Sequence, residues 1–241
     1  MKKSVRKRLW LWLIVLTLVA GLGVPPAADT ARAEAGLPTG EEMVQALKNR
    51  HPDKGHPRIL ATAEDFEAVR QNIQNDATAQ AIYAKLKAQA DEVLSHALPA
   101  SPGLQTSRDV LKDILTLGII INTHNGDVTP YLNKAWAILQ AAGNFASWNP
   151  SHFLDVAEMT MAFAVGYDWM YDRWTDDQKK FIRDAILAKG LAPALDAYDR
   201  GYAADAAWWA NVSFNWNSVV NGGITNGALA IADEGGEYEA A

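Results

Sequence analysis

The sequence contains no cysteine. That excludes disulfides, thiolate zinc sites and thiol nucleophiles. It also lacks strand signals: no segment alternates convincingly with period two, and no Asn-Gly pair sits between β-branched runs. Its most apolar run, Leu9 to Leu22, is shorter than the roughly 20 residues that a membrane span needs. That run follows a basic cluster (Lys2, Lys3, Arg6, Lys7, Arg8) and precedes Ala31-Arg32-Ala33, an A-x-A pattern. The three features together predict a cleaved secretory signal peptide over residues 1–33 and a secreted protein. Positive charge becomes scarce once the leader is removed. Residues 1–33 hold six basic residues and one acid, so the remainder has 16 basic against 27 acidic residues, net −11. Such a chain is a poor partner for nucleic acid or for an anionic membrane surface. An anionic polysaccharide would need a local basic pocket.

The densest chemistry lies in Trp208 to Asp233, WWANVSFNWNSVVNGGITNGALAIAD. Trp208, Trp209 and Trp216 stand there beside Asn211, Asn215, Asn217 and Asn221, ahead of Gly222-Gly223. Flat rings stack on sugar faces, and amides hold carboxylates and hydroxyls without adding charge. The pattern points to the wall of a carbohydrate site.

The rest reads as helices. After a linker, Glu41–Arg50 forms a short helix; residues 34–55 make up this N-terminal piece. His51 to Leu60, HPDKGHPRIL, is turn-rich and then extended. Thr62 with Asp65 is arranged as a capping box and opens a helix, with Phe66, Val69 and Ile73 at helical spacing. The spacing predicts further helices over 79–96, from Ser107 with Leu111, Ile114, Leu115, Gly118 and Ile119 inward, and from Thr129-Pro130 to about Ala142. Ser151 caps a long apolar helix over 153–171, which is buried nearly all round. Thr175 with Gln178 is a second capping box, opening a helix to Ala188 that Gly190 ends. Helices over 191–202 and 218–232 follow. The fold class is all-α, built of antiparallel helical hairpins. Spacing alone leaves two arrangements, an α/α toroid and a solenoid, and no strict repeat of the solenoid kind is present.

Three blocks carry a family resemblance: HPRILATAEDFEAVR, DVAEMTMAFAVGYDWMYDRWTDDQKKFIRDAIL and FNWNSVVNGGITNGALAIADE. Over residues 56 to 234 the chain resembles the heparinase II/III-like and alginate lyase-like polysaccharide lyases. The resemblance implies that residues 56–241 are the first part of an incomplete α/α toroid, truncated at its C-terminal end, with the family's β-region absent from this chain. It implies β-elimination on a uronic-acid polysaccharide. There the sugar carboxylate must be neutralised before the adjacent proton can leave. By resemblance the neutralising amides are Asn215 and Asn217, the catalytic residues. The base and acid, and any metal, are expected downstream of the chain; no cofactor is expected within it. The chain departs from the family at Phe214, where an asparagine often stands, and at Trp216, where some relatives carry histidine.

Other readings of the same residues stand beside this one. Asn215 and Asn217 also suit helix capping. Trp208, Trp209, Trp216, Asn211, Trp148 and His152 are assigned to substrate binding, Trp148 as a loop platform. One of Trp208 and Trp209 must face the core, because neighbours on a helix point in different directions. Trp136, Trp169 and Trp174 read as core, and His51, His56 and His124 as structural. A hydrolase needs two carboxylates across a cleft, for which Asp155, Glu158 and Asp205 are available. A non-catalytic glycan-binding module is the third possibility.

Overall fold

Thr62 and Thr175 open their helices by the same device. The Thr62 hydroxyl accepts the Asp65 backbone N–H and the Asp65 carboxylate accepts the Thr62 N–H at 2.9 Å. Thr175 and Gln178 repeat the exchange. Each box satisfies two of the donors that a helix start leaves unpaired. The computed structural model describes residues 38–53, 55–201 and 207–240. The leader read over residues 1–33 and Asp205 lie outside the described residues. Residues Gly40–Ala241 form one compact unit. Of the unit before it, only Pro38 and Thr39 are described.

The described residues form helices, turns and loops, with no strand among them. The helices are α1 (Gly40–Arg50), α2 (Ala63–Asn75), α3 (Ala77–Val93), α4 (Leu104–Thr123), α5 (Thr129–Gly143), α6 (Phe153–Trp169), α7 (Asp176–Ala185), α8 (Ala192–Arg200), α9 (Asn215–Ile231) and the short α10 (Gly236–Ala240). A 3₁₀ turn, Tyr171–Arg173, follows α6, and a second, Trp208–Asn211, precedes α9.

Several helix boundaries differ from expectation. Asp76 caps α3 through the Ala79 N–H, and the helix ends at Val93 rather than His96. Helix α4 starts at Leu104 rather than Ser107. Thr129 is the first residue of α5, and its cap position is Val128. Ser151 does not cap α6: its hydroxyl donates to Asn149 Oδ1, and His152 occupies the cap position. Gly190 does not end a helix. The chain stays helical through a π segment, Ile186–Leu191, into α8. Gly190 is there because Thr160 crosses it; a Cβ would lie 2.5 Å from the Thr160 hydroxyl. Helix α9 begins at Asn215, three residues ahead of Ser218.

The contacts sort the helices into two rows. Helices α4, α6 and α9 run parallel. Arg108 meets Glu158 near the starts of α4 and α6, and Asn122 donates to the Trp169 carbonyl near their ends. His152 meets Trp216 at the starts of α6 and α9, Gly223 lies against Ala157 farther along, and Tyr167 donates to Glu234 just past the end of α9. Helices α3, α5 and α7–α8 form the second row. Asp91 accepts the Tyr131 hydroxyl, Trp136 packs edge-on to Phe181, and Lys189 reaches the Gly143 carbonyl. Within each hairpin the chain reverses, so Tyr83 of α3 meets His124 just past the end of α4, and His96 meets Asp113.

Helix α6 is the axis of the packing. All its residues are buried except Glu158 and Met161. Each Leu, Val or Phe so enclosed contributes roughly 1.5–3 kcal/mol. Helix α4 is packed on more than one side, so its buried face is broad. Val110, Ile114, Leu117, Ile120 and Ile121 are inside, along with Ser107, Asp113 and Thr116. Leu111, Leu115 and Ile119, expected inward, are only partly buried.

Candidate functional site

Three parallel helices bring three N-termini to one end of the first row. Helix starts expose unpaired N–H groups and a partial positive charge. That end carries the tryptophan and amide cluster. Trp208 is 39% exposed and Phe214 51% exposed. The Trp208 and Trp216 rings lie 4.7 Å apart, Trp208 and Phe214 6.3 Å, and the His152 ring stands edge-on to Trp216 at 4.8 Å. The result is a ledge of solvent-facing rings.

The amides occupy different positions on it. Asn215, the first residue of α9, is exposed. Asn217 is half-buried, and its Nδ2 donates to the Ala210 carbonyl at 2.5 Å. That bond ties the tryptophan turn, Trp208–Asn211, to the first turn of α9. Neither amide caps the helix: Phe214 holds the cap position and no side-chain capping bond is made.

His152 is held from behind. Its Nδ1 lies 2.6 Å from Asp155 Oδ1, while Asn149 donates to Asp155 Oδ2 at 2.8 Å. Asn149 sits at φ 59°, a left-handed conformation that asparagine tolerates, and the turn presents its amide to Asp155. Asp155 is 1% exposed, and the His152 side chain is 39% exposed. The Asp155 carboxylate fixes the Nδ1–H tautomer, which leaves Nε2 as the acceptor on the exposed side chain. One turn on, burial pushes the Glu158 carboxyl above its ordinary value, opposed by Arg108, whose Nε is 3.2 Å away.

The structure gathers His152, Trp208, Trp216, Asn215 and Asn217 and corrects two assignments. Trp148 is not a platform: it is 1% exposed, its indole N–H donates to the Ala142 carbonyl, and it packs on Phe163 at 4.6 Å. A loop position does not expose a ring that the core can accept. Trp209 is likewise 1% exposed, packed against Phe153 and Tyr198, so it is the core member of its pair. The Asn211 side chain lies outside the described residues. Trp169 and Trp174 are buried as expected, and Trp136 is partly buried. Asp155, a carboxylate considered for hydrolysis, is committed to His152 and Asn149.

A second polar cluster closes the opposite end of the row. It lies on the order of 25 Å away, the length of a 17-residue helix. Asp168 is fully buried in the most apolar helix. Its Oδ1 pairs with His56 Nδ1 at 2.6 Å and its Oδ2 accepts the backbone N–H groups of Arg58 and Ile59, both at 2.9 Å. Arg58 grips Asp233 with both Nη atoms, at 2.7 and 2.5 Å, and its Nη2 also donates to the Leu229 and Ala230 carbonyls at the end of α9. Glu234 accepts from Tyr167 at 2.7 Å and from Arg183 at 2.9 Å. His56 is stacked on Tyr171, ring centres 3.9 Å apart. A cleft of about 320 Å³ borders this cluster, lined by His56, Arg70, Asn122, Asp168, Tyr171 and Arg173 among others. The tryptophans and amides of the ledge do not line it. Sequence reasoning left His56 as structural and did not connect it to Asp168, Asp233 and Glu234. The available signal was a charged residue inside an apolar helix, which demands a partner.

Neither the family models nor the curated proteins compared with the chain include a match.

Proposed function

We propose that the ledge formed by Trp208, Trp216, His152 and Asn215 binds a uronic-acid polysaccharide, and that the chain is part of a secreted lyase working by β-elimination. The observation that carries this reading is the position of part-exposed rings and the exposed Asn215 amide where the N-termini of α6 and α9 lie side by side. Rings accept a sugar face; the helix ends and the Asn215 amide favour its carboxylate. The two parallel rows are the arrangement expected of the first part of an α/α toroid, and we read the fold that way. The cleavable leader pattern in residues 1–33 supports export.

In this reading each group has a task. Asn215 donates to the carboxylate and withdraws charge as the neighbouring carbon loses its proton. Asn217 positions the tryptophan turn through Ala210. His152, oriented by Asp155, presents Nε2 to the bound sugar as a hydrogen-bond acceptor. Tyr167 lies at the opposite end of the row, where burial and then its bond to Glu234 push its hydroxyl far above the ordinary value.

Tryptophan emission of the full chain, titrated with oligouronates and with neutral glucans of equal length, tests the reading. Quenching by the acidic oligomers alone is expected, with no unsaturated, ultraviolet-absorbing uronate formed by this chain on its own. Equal response to neutral and acidic oligomers, or none to either, removes it.

A further inference from the structure

We propose that His56, Asp233 and Glu234 form a site for a divalent first-row metal ion of the Zn²⁺ or Mn²⁺ kind, at the end of the first row opposite the tryptophan ledge. The inference is independent of the polysaccharide reading. One ring nitrogen of His56 and one carboxylate oxygen each from Asp233 and Glu234 lie within 4.8 Å of one another. Nδ1 of His56 is occupied by Asp168. Nε2 is the nitrogen left for a ligand, and it is buried with no hydrogen-bond partner, on a side chain that is 0% exposed. An unpartnered buried nitrogen is costly. A metal ion would satisfy it.

The surroundings are those of a metal-binding histidine. A ligating imidazole usually gives its other N–H to a carboxylate, which fixes the ring and raises its basicity. Asp168 does this here, and is itself fixed by two backbone N–H donors. Tyr171 stacks on the ring and Tyr167 stands edge-on at 5.6 Å, so its plane is set. One imidazole and two carboxylates, with no sulfur, select borderline or hard divalent ions over soft ones. Ligand atoms around such an ion stand about 3–4 Å apart. The side chains need close by about one to two ångströms at most.

Charge also permits it. Three carboxylates (Asp168, Asp233, Glu234) face two guanidinium groups (Arg58, Arg183), which leaves one negative charge while His56 is neutral. Asp233 and Glu234 accept from those arginines, yet each carboxylate oxygen keeps a lone pair. The ion would tie three distant segments together: the turn-rich segment at His56, the end of α6 through Asp168, and the end of α9.

The full chain, stripped with EDTA, should bind Zn²⁺ or Mn²⁺ at one equivalent in calorimetry, with a rise in Tm. Glu234→Gln keeps the size and an acceptor for Tyr167, and should weaken binding about tenfold or more. His51→Gln, in the same segment but outside the cluster, should leave it unchanged. Because His56 variants risk misfolding, the ¹⁵N resonances of the wild-type ring provide a second measure: Nε2 should shift on Zn²⁺ addition. No saturable binding, binding that Glu234→Gln leaves intact, or an Nε2 that responds to acid but not to metal, each overturns the site.

Discussion

Gly223 of α9 lies directly on the backbone carbonyl of Ala157 in α6, so close that a Cβ there would overlap the oxygen. The obstacle is backbone and cannot swing aside. Gly223→Ala should therefore cost about 1–3 kcal/mol. For a chain of this size that lowers Tm by roughly 2–12 °C. Gly222, its neighbour, faces open space. Gly222→Ala should instead stabilise by about 0.5–1 kcal/mol, the helix preference of alanine. Thermal unfolding of the two variants side by side checks the parallel α6–α9 contact. Equal effects would contradict it.

The adjacent tryptophans should part in the same way. Trp208→Ala removes an exposed ring, so Tm should hardly move, while affinity for oligouronates falls by about 1 kcal/mol, roughly fivefold. Trp209→Ala empties a buried site and should cost about 3–5 kcal/mol of stability. Calorimetric binding and thermal melts on both variants decide the matter.

Asn215 and Asn217 make a second contrast. Asn215→Ala, at an exposed position, should shift stability by no more than about 0.5 kcal/mol. It should weaken acidic oligomers by about 1.5–3 kcal/mol, the range for a hydrogen bond to a charged group. Asn217→Ala releases the tryptophan turn from α9. It should broaden the Trp208 and Trp216 ring signals in NMR, which Asn215→Ala should leave sharp, and weaken the acidic oligomers as well.

Arg58 and Asp233 make a buried pair with a pH signature. Burial pushes the Asp233 carboxyl up, but hydrogen bonding to Arg58 and its charge outweigh this, and the net shift is downward. A depressed carboxylate stabilises the fold above the unfolded value of about 3.9, and that contribution is lost as pH falls through the folded value. Asp233→Asn strands the Arg58 guanidinium and should cost about 3–5 kcal/mol at neutral pH. Its deficit against wild type should narrow below about pH 4, measured by chemical denaturation across pH.

The all-helical class was legible in the sequence, as were the two capping boxes, the encased α6, and the concentration of rings and amides in one stretch. These are local properties, set by spacing along a helix and by the hydrogen bonds a helix start must make. The helix that runs on through Gly190 was not legible. Glycine commonly ends a helix, and only the crossing of Thr160 shows why one sits within a continuous segment. The burial of Trp148 was hidden for a similar reason: whether a loop ring turns outward depends on whether Phe163 and the Ala142 carbonyl are there to receive it. His152 was visible as a histidine at a helix start, but its orientation by Asp155 needed the turn at Asn149.

The sequence by itself determined which segments coil and which residue types gather near Trp208, because backbone propensity and capping act over three or four residues. Only the tertiary structure decided that three helices run parallel, so that His152 meets Trp216 at one end of the row and His56 meets Asp168 and Asp233 at the other. Those meetings join residues separated by tens of positions or more. They rest on close packing between helices, which no local pattern encodes.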